Sequence, residues 1–298
     1  MATLFNDKIF GQTAFQALRD LLTPVDLFST NISSELKSEG DSVTVPLFGA
    51  ITTTTFTQST TVMEQSGGLI SAITVSLNKR KITPMDLTHQ QLAESSNAGR
   101  FDQYAFQLGK SMAETVLSDI WSLIGPTNFG AAVITTASAN YSRVQMIKAR
   151  QALLQAGVRG PKSSVINTDV EAALLDDDKL TLALNRGDAM AIKEGELGRL
   201  LGIDWYSSDV LGYNSTSLVG FVCGKEAIAF ASRNLGDYLP AEDYDSVEQL
   251  VDNETGLSAL YTRHWSRAQG KWFCNLHMLY GYSTGVTTAL KVFTTPTT

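Results

Sequence analysis

The chain is short of the residues from which most catalytic and metal sites are built. Its 298 residues include only two cysteines and three histidines. Cys223 and Cys274 lie far apart with no CxxC spacing, which excludes a dithiol motif and reads as two free buried thiols in a reducing compartment. Charge is sparse as well, at 18% of residues, and the balance of 23 basic against 30 acidic side chains gives a net charge of -7. That sign argues against a bulk electrostatic nucleic-acid binder, which is normally basic. Low charge also accompanies surfaces that end up against partners. No stretch approaches the ~18 apolar residues that a membrane span needs. The N-terminus has no basic segment followed by an apolar run, so no signal peptide is read there.

What the chain has in excess is Thr and Ser in one place. Residues 40–84 open GDSVTVPLFG, continue ITTTTFTQSTTVMEQSGG and return LISAITVSLNKRKITP. These β-branched residues prefer strand. Gly67-Gly68 marks a turn, so the segment reads as one long two-stranded arm. Between Thr52 and Thr61 nearly every side chain is Thr, Ser or Gln, and Phe56 is the one large apolar residue. A two-stranded ribbon is marginal in water without something to cover it. The expectation is an arm that needs something to lie on: the rest of this chain is one candidate, and other copies of the chain are the better one.

Around the arm the pattern is that of a globular protein, 43% hydrophobic and long enough for one large or two smaller cores. Residues 1–39 read as an N-terminal arm with a short helix around Phe10 to Leu22, ended by Thr23-Pro24. The strongest helix spans about 97–124, with Ser95, Ser96 and Asn97 as candidate caps and Gly125-Pro126 as the stop. Gln103, Gln107, Lys110, Glu114 and Ser118 form a narrow polar stripe. Phe101, Tyr104, Leu108, Met112, Val116 and Ile120 share an apolar face, extended by Phe106, Leu117, Trp121 and Ile124. A helix apolar over most of its circumference is predicted to be a buried spine across a sheet.

Ser142 and Gln145 are spaced as a capping box for a helix that Gly157 ends. The strand SSVIN follows, and then a short helix through Leu175 that Thr168 and Glu171 would cap. GIDWYSSDV and SLVGFVCG read as strands, and KEAIAFASR as strand or helix. This alternation argues an α/β unit. After an acidic loop around Asp237 to Asp252, GLSALYTRHW and KWFCNLHMLYGY flank Ala268-Gln269-Gly270 as a hairpin, and TALKVF reads as a last strand.

Each candidate for chemistry has a plainer reading. Gly281-Tyr282-Ser283-Thr284-Gly285 matches GxSxG, but the hydrolase order needs a later His and none follows His277. The plainer reading is a glycine-flanked strand bend. Gly220 to Lys225 resembles a phosphate loop with one residue too few, and Glu226 would set a carboxylate against phosphate. His264, Cys274 and His277 share the late hairpin, but Cys274 and His277 are an odd number apart and point to opposite faces of a regular strand. Asp176-Asp177-Asp178 reads as a cation site or a solvated loop. Lys79-Arg80-Lys81, at the foot of the arm, reads as a solvated strand end or an ion-pair contact with an acidic neighbour. No catalytic, metal or cofactor site is expected.

The order of the parts resembles the major capsid proteins of tailed bacteriophages, the Hong Kong 97 fold. The likeness covers nearly the whole chain. It is carried by GDSVTVPLFG entering the hairpin, the helix ending WSLIGP, GRLLGIDWYSSDVL in the α/β unit and KWFCNLHMLYGYSTGVTTALKVF at the end. The resemblance implies an α+β fold with an N-terminal arm (1–39) and a hairpin E-loop (40–84) reaching over an adjacent subunit. It further implies a peripheral domain (85–141 and 236–298, with the spine helix 97–124) and an axial domain (142–235) around the fivefold and sixfold axes. Some family members crosslink a hairpin Lys to a neighbour's Asn; no Lys occurs here between Asp41 and Asn78, so such a bond from the arm is not expected.

The function this implies is a shell protein that self-assembles into pentamers and hexamers around a double-stranded DNA genome, in the virion and, during assembly, the host cytoplasm. Its partners would be other copies of itself, a separate scaffolding protein, a portal and, non-specifically, the packaged DNA. The subunit-contact candidates are Thr54, Phe56, Val62, Met63, Lys79, Arg80 and Lys81. The alternatives are an encapsulin-like compartment shell and, in a different class, a serine hydrolase using Ser283.

Overall fold

The computed structural model describes residues 6–31, 41–48, 70–88, 90–91, 100–177, 197–211, 217–234, 243–252 and 255–296. The main helices are α1 (Asp7–Leu21), α2 (Phe101–Leu123), α3 (Arg143–Gln155) and α4 (Thr168–Leu175). The strands of the first half are β1 (Ser29–Asn31), β2 (Ser42–Phe48), β3 (Ile70–Ser76), β4 (Lys79–Thr88), β5 (Ile134–Thr135) and β6 (Lys162–Ile166). Those of the second half are β7 (Arg199–Leu200), β8 (Ile203–Ser207), β9 (Leu218–Gly224), β10 (Ile228–Arg233), β11 (Ser246–Val251), β12 (Ser258–Ser266), β13 (Lys271–Thr284) and β14 (Leu290–Thr294).

The long strand β13 organises the larger sheet. It pairs antiparallel with β12 over 271–277, with β4 over 271–280 and with β10 over 279–284. Alternation along β13 sends Leu276, Met278 and Tyr280 into the main core, and Leu279 into a separate cluster on the other face. The late hairpin is found as read, turning at residues 267–270 with Gly270 at φ 64°.

Helix α2 is the expected spine. Phe101, Leu108, Met112, Val116, Leu117, Ile120, Trp121 and Ile124 are buried, and Gln103 and Gln107 are exposed. Phe106 departs from the expected face and is 45% exposed; its neighbours Ala105 and Gly109 take the inward positions instead. The candidate caps Ser95, Ser96 and Asn97 lie outside the described residues, and Arg100 holds the N-cap position.

The described part of the expected N-terminal arm carries the predicted helix and packs into the main core. Phe10, Ala14, Leu18, Leu22, Val25 and Phe28 belong to the main core. Gly109 of α2 permits this, because a Cβ there would run into the Ala14 carbonyl oxygen. Phe28 then packs edge-on against Trp121 at 6.3 Å and stacks on Phe221 at 6.4 Å.

The smaller unit is a mixed sheet in the order β5-β14-β9-β6-β8-β7. Helices α3 and α4 cover one face through Met146, Ala149, Leu153, Val170 and Leu174. Val165, Phe221 and Val292 face the main core on the other side. Ser142 and Gln145 form the predicted capping box, and Gly157 ends α3 at φ 82°. The cap of α4 is Asn167, whose carboxamide oxygen accepts from the Val170 amide at 2.9 Å, rather than Thr168. KEAIAFASR resolves as strand. The boundary expected at 235/236 does not separate the sheets: β10 joins β13, while β14, near the end of the chain, pairs with β9 and β5.

Candidate functional site

The foot of the arm is the place where the sequence candidates and the structure meet. β2 and β3 form an antiparallel ladder from Ser42↔Ser76 to Phe48↔Ile70. On the returning strand the described ladder reaches Ser76. The chain passes Leu77 and Asn78, and residues 79–88 pair with β13 instead, so the returning strand of the hairpin stops short of the expected Pro84. Val43, Val45, Val75 and Leu77 are buried against Ala229, Ala231, Leu260 and Leu279. The foot therefore has an apolar core of its own, seated on the sheet face opposite α1 and α2. Thr54, Phe56, Val62 and Met63 lie outside the described residues.

The basic cluster at this foot is divided by the pleat of β4. Lys81 Nζ lies 3.5 Å from the Asp119 carboxylate on α2, and the Tyr280 hydroxyl donates to the same Asp119 at 2.7 Å. Burial and the adjacent carboxylate push the Tyr280 phenol upward. Lys79 Nζ sits 6.0 Å from the centre of the Tyr282 ring. Both lysines thus engage their own chain: Lys81 ties the foot to the spine, and Lys79 lies against β13. Arg80, between them, is exposed on the other face together with Ile82.

The remaining motifs resolve into packing. Ser283 pairs with Ala229 inside the β10–β13 ladder, so no strand–turn–helix elbow exists there. The flanking glycines answer to backbone crossings. A Cβ on Gly281 would strike the Ser76 carbonyl oxygen, and one on Gly285 that of Glu226. Gly220 to Gly224 is fully buried strand followed by a turn into another strand, not the helix a phosphate loop requires.

His264 stacks on Phe273 at 5.5 Å. His277 Nε2 lies 2.9 Å from Thr262 Oγ1, and burial, with Arg80 and His264 nearby, holds the imidazole down at about 4. Cys274 points into the main core, where burial pushes its thiol up to about 11; Cys223 is pushed to about 12. Among the described residues, no three His, Cys, Asp or Glu side chains converge as a metal site. Asp177 accepts from the Arg143 amide at 2.9 Å, Asp176 caps α4, and Asp178 lies outside the described residues.

Sequence reasoning missed two features of this region. One is the apolar seat under the arm, although Val43, Val45 and Val75 alternate with polar residues as a half-buried strand should. The other is the pair of glycines that let segments cross; a glycine inside a strong helix or strand pattern is the available signal.

No family model and no curated protein matches the sequence. Solved structures do match over almost the whole chain. The capsid of cyanophage P-SCSP1u aligns with a TM-score of 0.53 at 16% identity, over 92% of this chain and 88% of that one. The capsid of an empty GTA particle gives 0.55 at 14% identity, over 93% and 90%. A virus-like particle from Pyrococcus furiosus gives 0.52 at 10% identity, over 96% and 98%. The likeness covers most of the chain in each case, and the chain has the fold of these capsids, the Hong Kong 97 fold.

Proposed function

We propose that this chain is the subunit of a closed icosahedral shell, a structural protein that assembles through a clasping arm and catalyses no reaction. The observation that carries the reading is an arm foot with its own core on the sheet, from which a Thr- and Ser-rich segment with little apolar content continues at Phe48 and returns at Ile70. The near-complete overlap with capsid folds supports it. The clasp is the stretch carrying Thr54, Phe56, Val62 and Met63, laid on a neighbouring subunit, with Arg80 and Ile82 at its exposed foot. Obligate interfaces commonly bury over ~2,000 Å², and an arm reaches such areas without enlarging the globular body.

The cargo in this proposal is double-stranded DNA in a virion, formed in host cytoplasm with a separate scaffolding protein and a portal. Contact with DNA is weak and non-specific, because a chain of net charge -7 repels phosphate. A second reading, a compartment shell enclosing protein, is favoured by the match over 98% of a virus-like particle subunit. Electron microscopy and sedimentation of the expressed chain test assembly, and nuclease-protected DNA inside purified particles separates the two readings. A monodisperse monomer under every condition, scaffold included, overturns both.

A further inference from the structure

Helix α3 has a second apolar face. Met146, Ala149 and Leu153 are buried beneath it, yet Val144, Ile147 and Leu154 are 56%, 45% and 48% exposed. A surface helix of a globular protein normally carries one apolar stripe, facing its core. The charges on α3 are all cations, Arg143, Lys148 and Arg150, and all three are exposed.

Its neighbour α4 is the opposite. Among the described residues the charges on and just after it are anions, Asp169, Glu171, Asp176 and Asp177, and Asp169, Ala172 and Asp176 form an exposed stripe at steps of three and four. The two helices lie in one layer, since both bury side chains in the same apolar cluster. Between them runs an open cleft of about 640 Å³ whose lining includes Arg143, Val144, Ile147, Ala173, Asp176 and Asp177.

We infer that this two-helix face is a contact between copies of the chain, the basic and apolar flank of α3 in one copy lying on the acidic stripe of α4 in another. The inference rests on the shell reading and names one of its interfaces. The charge pattern selects the occupant. A polyanion drawn to α3 is repelled by α4 beside it, and a polycation meets the reverse. A second copy brings acid to base and base to acid, and Ala172 leaves room in the stripe for Ile147 or Leu154.

Three charge-swapped chains test it: Lys148→Glu with Arg150→Glu, Asp169→Lys with Asp176→Lys, and all four together. Circular dichroism confirms that each folds. Each pair alone is expected to lower particle yield by roughly tenfold or more, since like charges then face each other. The fourfold variant is expected to recover it. Ile147→Ser with Leu154→Ser, which only adds polarity to exposed sites, is expected to fold normally and assemble poorly. Wild-type particles with unchanged yield from both swapped pairs overturn this contact and leave the shell reading standing. A wild-type chain that never assembles overturns the shell reading and this contact with it.

Discussion

Gly281 on β13 and Ser76 at the end of β3 are in such close approach that a Cβ at position 281 would occupy the space of the Ser76 carbonyl oxygen. This is where the foot of the arm crosses the central strand, and it accounts for a glycine in what looks by sequence like a nucleophile elbow. The obstacle is backbone, which cannot swing aside as a side chain can. Gly281→Ala is therefore expected to cost about 1–3 kcal/mol, read as a lower denaturation midpoint. Ser283→Ala is expected to stay within about 1 kcal/mol. Labelling of Ser283 by a serine-reactive phosphonate would contradict this assignment.

The contact between α1 and α2 makes a second prediction in which two effects oppose each other. Helix propensity alone favours Gly109→Ala by about 1 kcal/mol. The Ala14 carbonyl and the Ala17 Cβ occupy the space the new methyl needs, and overpacking there costs about 1–3 kcal/mol. The net expectation is destabilisation. A raised midpoint for Gly109→Ala would mean that α1 does not dock at Gly109.

Removal of the arm separates folding from assembly. Replacing residues 51–69 with a short Gly-Ser turn leaves Val43, Val45, Val75 and Leu77 on their seat. Far-ultraviolet circular dichroism should be close to wild type and the melt cooperative, while electron microscopy should find few or fragile shells. Robust shells from the shortened chain would show that the clasp lies elsewhere.

His277 predicts a loss of stability on the acid side. Burial holds the folded imidazole at about 4, against an ordinary value near 6.5. Above pH 6.5 both states are neutral there and the group contributes nothing. As pH falls from 6.5 toward 4 the unfolded chain takes up a proton that the folded one refuses, and stability drops by up to about 3 kcal/mol. His277→Gln should flatten this part of the profile in urea melts between pH 7 and pH 4.5, with the Thr262 partner kept. An unchanged slope would assign the acid sensitivity to other groups.

Read from the sequence alone, the local elements come out well where their signals are local. The spine helix, the Ser142–Gln145 capping box, the Gly157 stop, the 267–270 turn and the strand character of β6, β9 and β14 all follow from periodicity, caps and turn residues within a few positions of each other. The same local information decided that α2 carries a broad apolar face and that no charged or Cys/His-rich motif dominates. Tertiary structure alone decided which sheet each strand joins. β10 and β14 each leave the half of the chain to which sequence order assigns them, because a buried strand is apolar on both faces whichever neighbour it pairs with. It also decided that residues 7–28 pack into the main core, and that Gly109 and Gly281 are crossing points. A glycine's need for space is set by the backbone that passes over it, and that backbone comes from Ala14 and Ser76, far away along the chain.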